Sequence, residues 1–217
     1  MMLVMGFHEL LHDRHGAAGV IHHPRAYEVT SAIGFLGARR EAFTRLAIQA
    51  RPRPGDRFLD VGCGTGYLTR VIAPVVGPKG QVTGVDPSAE MIEYARRRAP
   101  GNCDYQVAEG QALPFPDASF DAVVSSLAVH HIPADARPAA IGEMFRVLRP
   151  GGRLVVAEFR PPAQPLLRAF VSLVAPRAAH HDAHEVLGTL IPDAGFRVEG
   201  AGDLPPYLYY IRARKPD

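Results

Sequence analysis

The stretch that decides the fold is Phe58-Leu59-Asp60-Val61-Gly62-Cys63-Gly64-Thr65-Gly66-Tyr67, in which an apolar segment runs into three alternate glycines. Glycine tolerates positive φ angles and lets a ligand approach the backbone closely. A helix that follows such a loop offers free N–H groups at its first turn. The stretch therefore predicts a strand, a loop and a helix, with a ligand against the loop backbone.

The residues around this loop narrow the class of ligand. A dinucleotide-binding loop has a further glycine at the sixth position counted from Gly62, and Tyr67 stands there instead. The Asp60 carboxylate would repel a pyrophosphate but attract an ammonium group. Asp86 follows Gly66 by 20 residues, where doubly wound folds place an acceptor for ribose hydroxyls. The loop therefore favours a ligand with a cationic amino-acid part and a ribose.

Short β-branched runs alternate with helical spacing from Arg57 onward, which indicates βαβ units and a parallel sheet. The pattern predicts strands at Arg57–Val61, Gln81–Val85, Asp104–Val107, Phe120–Ser125 and Arg153–Glu158. It predicts helices between them at Tyr67–Val76, Ser88–Arg98 and Ala136–Leu148. Phe196–Glu199 and Leu208–Lys215 are predicted to form a closing pair of antiparallel strands.

Two further segments have helical spacing and flank this core. Residues 1–50, with Tyr27–Leu36 and Arg39–Ala50 as their clearest helices, are expected to form an N-terminal cap. Residues 160–192 are expected to cover the sheet after the fifth strand. A length of 217 residues fits one domain, so we expect residues 1–217 to fold as a single unit.

Composition excludes several classes of protein. The 24 basic and 22 acidic side chains leave a formal charge of +2, so we expect no nucleic-acid partner. Two cysteines are too few for a disulfide framework, which favours the reducing cytoplasm. No stretch approaches about 18 consecutive apolar residues, so we expect no membrane span. The oligomeric state cannot be predicted from these features.

Four further short motifs follow the glycine loop along the chain. They are Val85-Asp86-Pro87-Ser88, Leu113-Pro114-Phe115-Pro116-Asp117, Ser119-Phe120-Asp121 and Val147-Leu148-Arg149-Pro150-Gly151-Gly152. Together with the loop they resemble the class I S-adenosylmethionine-dependent methyltransferases, particularly the branch that modifies quinones and other small molecules. The resemblance covers about Arg57–Glu158 and implies S-adenosylmethionine as the cofactor.

The same resemblance implies an α/β fold: a doubly wound, seven-stranded sheet of order 3-2-1-4-5-7-6, strand 7 antiparallel, with helices on both faces. It also implies a cofactor site. The glycines would flank the methionine part, Asp86 would bind the ribose, and Met91 would pack on the adenine unless it is simply helix core. Tyr27, in the cap, would reach the methyl group. The expected cofactor site comprises Tyr27, Asp60, Gly62, Cys63, Gly64, Gly66, Asp86, Pro87, Met91, Glu109, Gly110, Gln111 and Ser125.

Methyl transfer from a sulfonium needs alignment of the acceptor and, for a hydroxyl or carbon acid, loss of a proton. His130 and His131 follow the fourth strand, and Glu158 ends the fifth. Related small-molecule O-methyltransferases look similar at these positions. We therefore predict His130 as the general base, Glu158 as its orienting partner and His131 as a second candidate, although one histidine of such a pair often only packs a loop.

The expected function is methyl transfer to a small, partly apolar acceptor, with oxygen favoured over carbon or nitrogen. Two alternatives stay open. His8-Glu9-Leu10-Leu11-His12 matches the zinc-hydrolase pattern, which would need a third ligand such as Glu28, His22 or His23. The chain could also be a catalytically silent cofactor-binding protein that acts through a partner. No metal is expected in the methyltransferase site.

Overall fold

The computed structural model describes residues 23–35, 37–160 and 183–217. Its helices are α1 (Pro24–Gly34), α2 (Arg39–Gln49), α3 (Tyr67–Val76), α4 (Ala89–Arg96), α5 (Arg137–Val147) and α6 (Ala183–Asp193). Its strands are β1 (Arg57–Val61), β2 (Gln81–Asp86), β3 (Cys103–Val107), β4 (Phe120–Ser126), β5 (Leu148–Phe159), β6 (Arg197–Leu204) and β7 (Leu208–Arg214). None of the helices in these ranges is long and apolar enough to cross a membrane.

The seven strands form one sheet in the order β3-β2-β1-β4-β5-β7-β6. β1 to β5 are parallel to one another, whereas β7 is antiparallel to both β5 and β6. This confirms the predicted order and the antiparallel seventh strand. Because parallel strands all end at the same edge, the loops after β1, β2 and β4 meet there, which is where such folds bind ligands.

Strand alternation divides the core between the two faces of the sheet. Leu59 and Val61 of β1 pack on the side that α5 and α6 cover, whereas Phe58 packs on the side of α2 and α3. Both faces are therefore buried, as expected of parallel strands in a doubly wound sheet. Asp60 lies on the same face as Phe58 and is directed toward α3, where it meets Thr69.

The structure corrects the bounds of two strands. β5 begins at Leu148 rather than at the predicted Arg153, and a register shift between Phe120 and Ala122 of β4 accommodates the added residues. β6 continues to Leu204, where Glu199 was the predicted end. Most β6 side chains are exposed at the sheet edge, so the strand lacks the apolar alternation that identifies strands in a sequence. The expected cap and cover can be compared only in part, because residues 1–22, 36 and 161–182 lie outside the described residues.

We predict that Gly66→Ala destabilises the fold through a clash with Tyr105. Gly66 has a φ of 73°, and a Cβ there would lie 2.6 Å from the Tyr105 hydroxyl oxygen and 2.7 Å from a ring carbon. We expect the free energy of unfolding in urea to fall by about 2–4 kcal/mol. Gly55→Ala is the control, because Gly55 also has positive φ but no atom within 4 Å of the added Cβ. Equal losses in the two variants would contradict the clash.

Candidate active site

One cavity opens at the edge where β1, β2 and β4 end, and it gathers most of the predicted site. The glycine loop forms its floor, α1 and α2 lie over one side, and the turn after β4 closes the other. The predicted residues that line it are Tyr27, Asp60, Gly62, Cys63, Gly64, Asp86, Pro87, Met91, Glu109, Gly110, Gln111 and His131.

The glycine loop is held to the sheet by its backbone. The N–H groups of Gly62 and Cys63 both donate to the Val85 carbonyl, at 2.8 and 2.9 Å. A Cβ on Gly62 would lie 2.2 Å from the Cβ of Ala128, so no side chain fits there. A Cβ on Gly64 would meet no atom within 4 Å. The loop therefore presents bare backbone to the cavity at Gly64.

Asp86 connects the glycine loop to the start of α4. Its Oδ2 accepts from the Gly64 N–H and its Oδ1 from the Ser88 N–H, both at 2.9 Å. Burial raises the pKa of Asp86 above its usual value, while these two hydrogen bonds oppose the rise. Each carboxylate oxygen keeps a further lone pair, so the group retains the capacity to accept ligand hydroxyls. Ser88 caps α4 by accepting the Met91 N–H at 3.3 Å.

Asp60 is a buried carboxylate with a single side-chain partner in the described structure. It is 1% exposed, and its Oδ2 accepts from the Thr69 hydroxyl at 2.7 Å. Burial raises the pKa of Asp60 to about 7, the Thr69 hydrogen bonds oppose that rise, and the negative charge of Asp86 adds to it. An ammonium group in the cavity would supply the counter-charge that this carboxylate lacks.

Arg39 and Glu28 form a part of the site that sequence reasoning missed. Arg39 lines the cavity, is 7% exposed, and its guanidinium carbon lies 4.0 Å from the centre of the Tyr67 ring. Its two Nη atoms donate to Glu28 at 2.8 and 3.2 Å, while its Nε finds no partner within the described residues. Glu28 also accepts from the Thr65 hydroxyl. The cap is thereby tied to the glycine loop.

Tyr27 lies in the cavity wall on the same helix as Glu28. Burial raises the pKa of Tyr27 above its usual value, and the nearby Arg39 charge only partly opposes this. Its phenol therefore stays protonated near neutral pH and is suited to donate a hydrogen bond. Burial likewise raises the pKa of the Cys63 thiol well above its usual value and that of Cys103 to about 11. Both thiols are free but poorly suited to act as nucleophiles.

His130 and Glu158 are brought together as predicted from their positions after β4 and in β5. The His130 Nδ1 lies 2.6 Å from Glu158 Oε2. The other carboxylate oxygen, Oε1, accepts the N–H groups of Val129 and His130 at 2.7 and 3.3 Å. Glu158 is 4% exposed. The carboxylate therefore fixes both the ring of His130 and the short 3-10 turn Val129–His131.

Four predicted residues do not line the cavity in the described structure: His130, Glu158, Ser125 and Gly66. His131 lines it instead, and its ring stacks on His130 with centroids 4.0 Å apart. Ser125 donates to the Val61 carbonyl at 2.8 Å inside the sheet, because alternation turns it away from the cleft. Gly66 faces the Tyr105 ring.

Ser126 takes the place in the cavity wall that was predicted for Ser125, and its hydroxyl oxygen has no partner in the part of the chain that is described. The zinc-hydrolase motif at His8 and His12 lies outside the described residues. Glu28, one of its conceivable third ligands, is engaged with Arg39 and Thr65. Across residues 23–35, 37–160 and 183–217, no group of three acidic, histidine or cysteine side chains could hold a metal ion.

Comparisons with known proteins agree with this architecture. A model described as a methyltransferase domain matches residues 58–152. The chain is 33% identical over 188 residues to the ubiquinone/menaquinone biosynthesis C-methyltransferase UbiE of Pseudomonas syringae pv. tomato, covering 74% of this chain and 73% of that protein. It is 36% identical over 163 residues to UbiE of Shewanella piezotolerans, covering 72% of this chain and 64% of the relative.

The chain thus spans less than two thirds of the length of the Shewanella relative, at 64%. Among solved structures, an S-adenosylmethionine-dependent methyltransferase from Methanosarcina mazei is similar, with 26% identity and a TM-score of 0.62. That similarity covers 76% of this chain and 94% of the other.

We predict that Asp60 makes the free protein less stable as the pH rises. The Asp60 pKa is about 7 in the folded state and 3.8 in its unperturbed state, so the native state binds more protons between these values. The free energy of unfolding should fall between about pH 4 and pH 7, by on the order of 3 kcal/mol. Urea unfolding across this range measures it.

Asp60→Asn is the matched variant, because asparagine stays neutral and can still accept from Thr69. Its stability should change less over the same pH range than that of the original chain. Asp86 is present in both proteins, and its own contribution has the same sign in each. Identical pH profiles would contradict the prediction.

Proposed function

The chain belongs to the class I S-adenosylmethionine-dependent methyltransferases, and on that premise we propose that it transfers a methyl group from S-adenosylmethionine to a carbon atom of a small, partly apolar acceptor. The observation that carries the proposal is the order of groups along one cavity. Asp60, a buried carboxylate with no counter-ion among the described residues, is followed by bare backbone at Gly64 and by the acceptor oxygens of Asp86.

These residues fit the cofactor by charge and by space. Asp60 would take the ammonium of the methionine part, and Gly64 leaves room for that part against the backbone. The unpartnered Nε of Arg39 is suited to its carboxylate. Asp86 would accept from the ribose hydroxyls, and Met91 would pack against the adenine. Glu109, Gly110 and Gln111 would lie beside the adenine edge. When bound, S-adenosylmethionine supplies a methyl group activated by its sulfonium.

We propose carbon as the acceptor atom, in place of the oxygen that the sequence favoured. The named relatives are C-methyltransferases of quinone biosynthesis, and their acceptor class is carried to this chain as part of the proposal. The wall beside His131 is apolar, formed by Leu127, Ala128, Ile132 and Pro133. A quinone precursor with a ring hydroxyl suits that wall, because it is apolar and has one ionisable group.

The chemistry follows from these contacts. Loss of the ring hydroxyl proton increases the electron density on the neighbouring ring carbon. That carbon attacks the methyl group, so that a carbon–carbon bond forms while the carbon–sulfur bond breaks and S-adenosylhomocysteine leaves. The methylated carbon then releases its own proton and the ring regains aromaticity. The protein contributes alignment, exclusion of water and a base.

We assign the base to His131, because it lines the cavity whereas His130 does not. His130, held by Glu158 at 2.6 Å, stacks behind it and orients its ring. The buried carboxylate also supplies negative charge next to the pair, which stabilises an imidazolium once the proton has been taken. This assignment exchanges the roles first predicted for the two histidines.

We predict that the protein binds S-adenosylhomocysteine and not NAD, and that it methylates a demethylated quinol at carbon. Calorimetry measures the binding, and labelled donor with product NMR locates the methyl group. Asp86→Asn should weaken S-adenosylhomocysteine binding about tenfold to a hundredfold, since hydrogen bonds to a charged acceptor are removed. Asp104→Asn, which removes an exposed carboxylate from β3, is the control. Binding of NAD alone, or a methyl group on oxygen, would refute the proposal.

We predict that His131→Ala lowers kcat by about a hundredfold to ten-thousandfold through loss of the base. His130→Ala should lower kcat by only about tenfold, because it removes orientation and leaves the base in place. The affinity for S-adenosylhomocysteine should be unchanged in both. Turnover with the same quinol tests the assignment, which fails if His130→Ala proves the more damaging of the two.

A further inference from the structure

The helix α5 contacts two segments next to the cavity, the histidine turn Val129–His131 and the connection between β3 and β4. At its first turn, Arg137 donates from Nε to the Ile132 carbonyl at 3.0 Å and from Nη2 to the His130 carbonyl at 3.3 Å. These two carbonyls flank His131. The backbone on either side of the proposed base is therefore fixed by a single guanidinium.

At the other end of α5, Arg146 and Glu143 hold the connection between β3 and β4. Arg146 donates to the carbonyls of Phe115 and Leu113 at 2.8 and 3.1 Å and to the Asp117 carboxylate at 2.7 Å. Glu143 accepts the Leu113 N–H at 2.9 Å and binds Arg146 through both of its oxygens, at 2.6 and 2.8 Å. Leu113 follows Gln111 of the proposed adenine edge by two residues.

The histidine turn and α5 both come close to Gly110 in the cavity wall. A Cβ on Gly110 would lie 3.4 Å from Ile132 and 3.7 Å from the Cβ of Ala140 in the first half of α5. The helix thus lies close to the donor-side wall at Ala140. The histidine turn reaches the same point through Ile132.

We propose that α5 is a positioning helix that sets the two halves of the cavity independently, Arg146 with Glu143 for the cofactor and Arg137 for His131. The inference rests on the proposed function and concerns positioning residues, since neither arginine lines the cavity in the described structure. The rigid helix between them would fix the separation of the methyl donor from the base.

α5 has an apolar anchor on the sheet besides these arginines. α5 already packs on the sheet through Ala140, Ile141, Met144 and Val147, all of which are buried. Arg146 remains 31% exposed. Arg137 binds the two main-chain carbonyls beside His131, and Arg146 binds the carbonyl of Leu113, two residues after Gln111. Hydrogen bonds of this kind position a loop. A helix anchor alone would be satisfied by the apolar face.

The test is a double dissociation that does not depend on turnover. Arg146→Gln should raise the Kd for S-adenosylhomocysteine about tenfold, because charged hydrogen bonds to the loop are removed. It should leave the NMR titration of the His131 ring protons unchanged. Arg137→Gln should shift that titration while the Kd stays within about twofold. Arg146→Lys, which keeps the charge but lacks the planar guanidinium that reaches the Leu113 and Phe115 carbonyls and Glu143 together, should give an intermediate Kd.

Arg45→Gln is the matched control, because it breaks an exposed ion pair with Glu41 on α2, and neither readout should change in it. If Arg146→Gln does not fold, Glu143→Gln is measured for the same rise in Kd. Binding by the original chain with an unchanged Kd in these variants, or equal effects of both arginines on both readouts, overturns the inference alone. Absence of binding by the original chain overturns the proposed function as well.

Discussion

Two carboxylates that are removed from water at the ends of neighbouring strands constrain the rest of this structure. Asp86 ends β2 and holds the Gly64 N–H and the Ser88 N–H, so it fixes both the glycine loop and the first turn of α4. Asp60, one strand away, has the Thr69 hydroxyl as its side-chain partner. Burial raises the pKa of each, and each raises the cost of ionising the other. A cationic ligand relieves this cost, whereas an anionic pyrophosphate would increase it.

The sheet could be predicted because the buried side chains of strand β1 alternate between its two faces. Leu59 and Val61 belong to one core and Phe58 to the other, so the alternation marks a strand buried on both faces. The same reasoning fails at β6, whose exposed edge leaves no apolar periodicity to recognise. It also misses the start of β5, where a bulge opposite Phe120 brings the residues before Arg153 into the strand. The sequence pattern thus predicts the buried strands and the edge strand β3, but not the exposed second half of β6.

The residues of the site also divide into those that the sequence predicts and those that it does not. Asp60, Gly64 and Asp86 could be predicted from local sequence. Asp60 and Gly64 lie on either side of the end of β1, and Asp86 is the last residue of β2. Ser126 could be preferred to Ser125 only once Val124 was known to pair with Asp60, because that register sets which side chain shares the cleft face. Arg39 and Glu28 lie on two different helices and carry no spacing signal. The assignment of the base to His131 in place of His130 depends on a 3-10 turn, which no local pattern predicts.

Burial of the Asp60 carboxylate without a counter-charge from the described part of the chain lowers the free energy of unfolding of the free protein, and this cost affects ligand binding. The free energy lost to desolvation lowers the stability of the ligand-free state and is recovered only when a cation enters the cavity. The same desolvation cost would make the site selective for a cation, since a neutral analogue of the ligand would leave that cost unrelieved. Binding of an ammonium would also lower the pKa of Asp60 from about 7. Near neutral pH, binding of the proposed ligand would therefore be coupled to release of a proton from Asp60, so its affinity would fall in acid and rise in base.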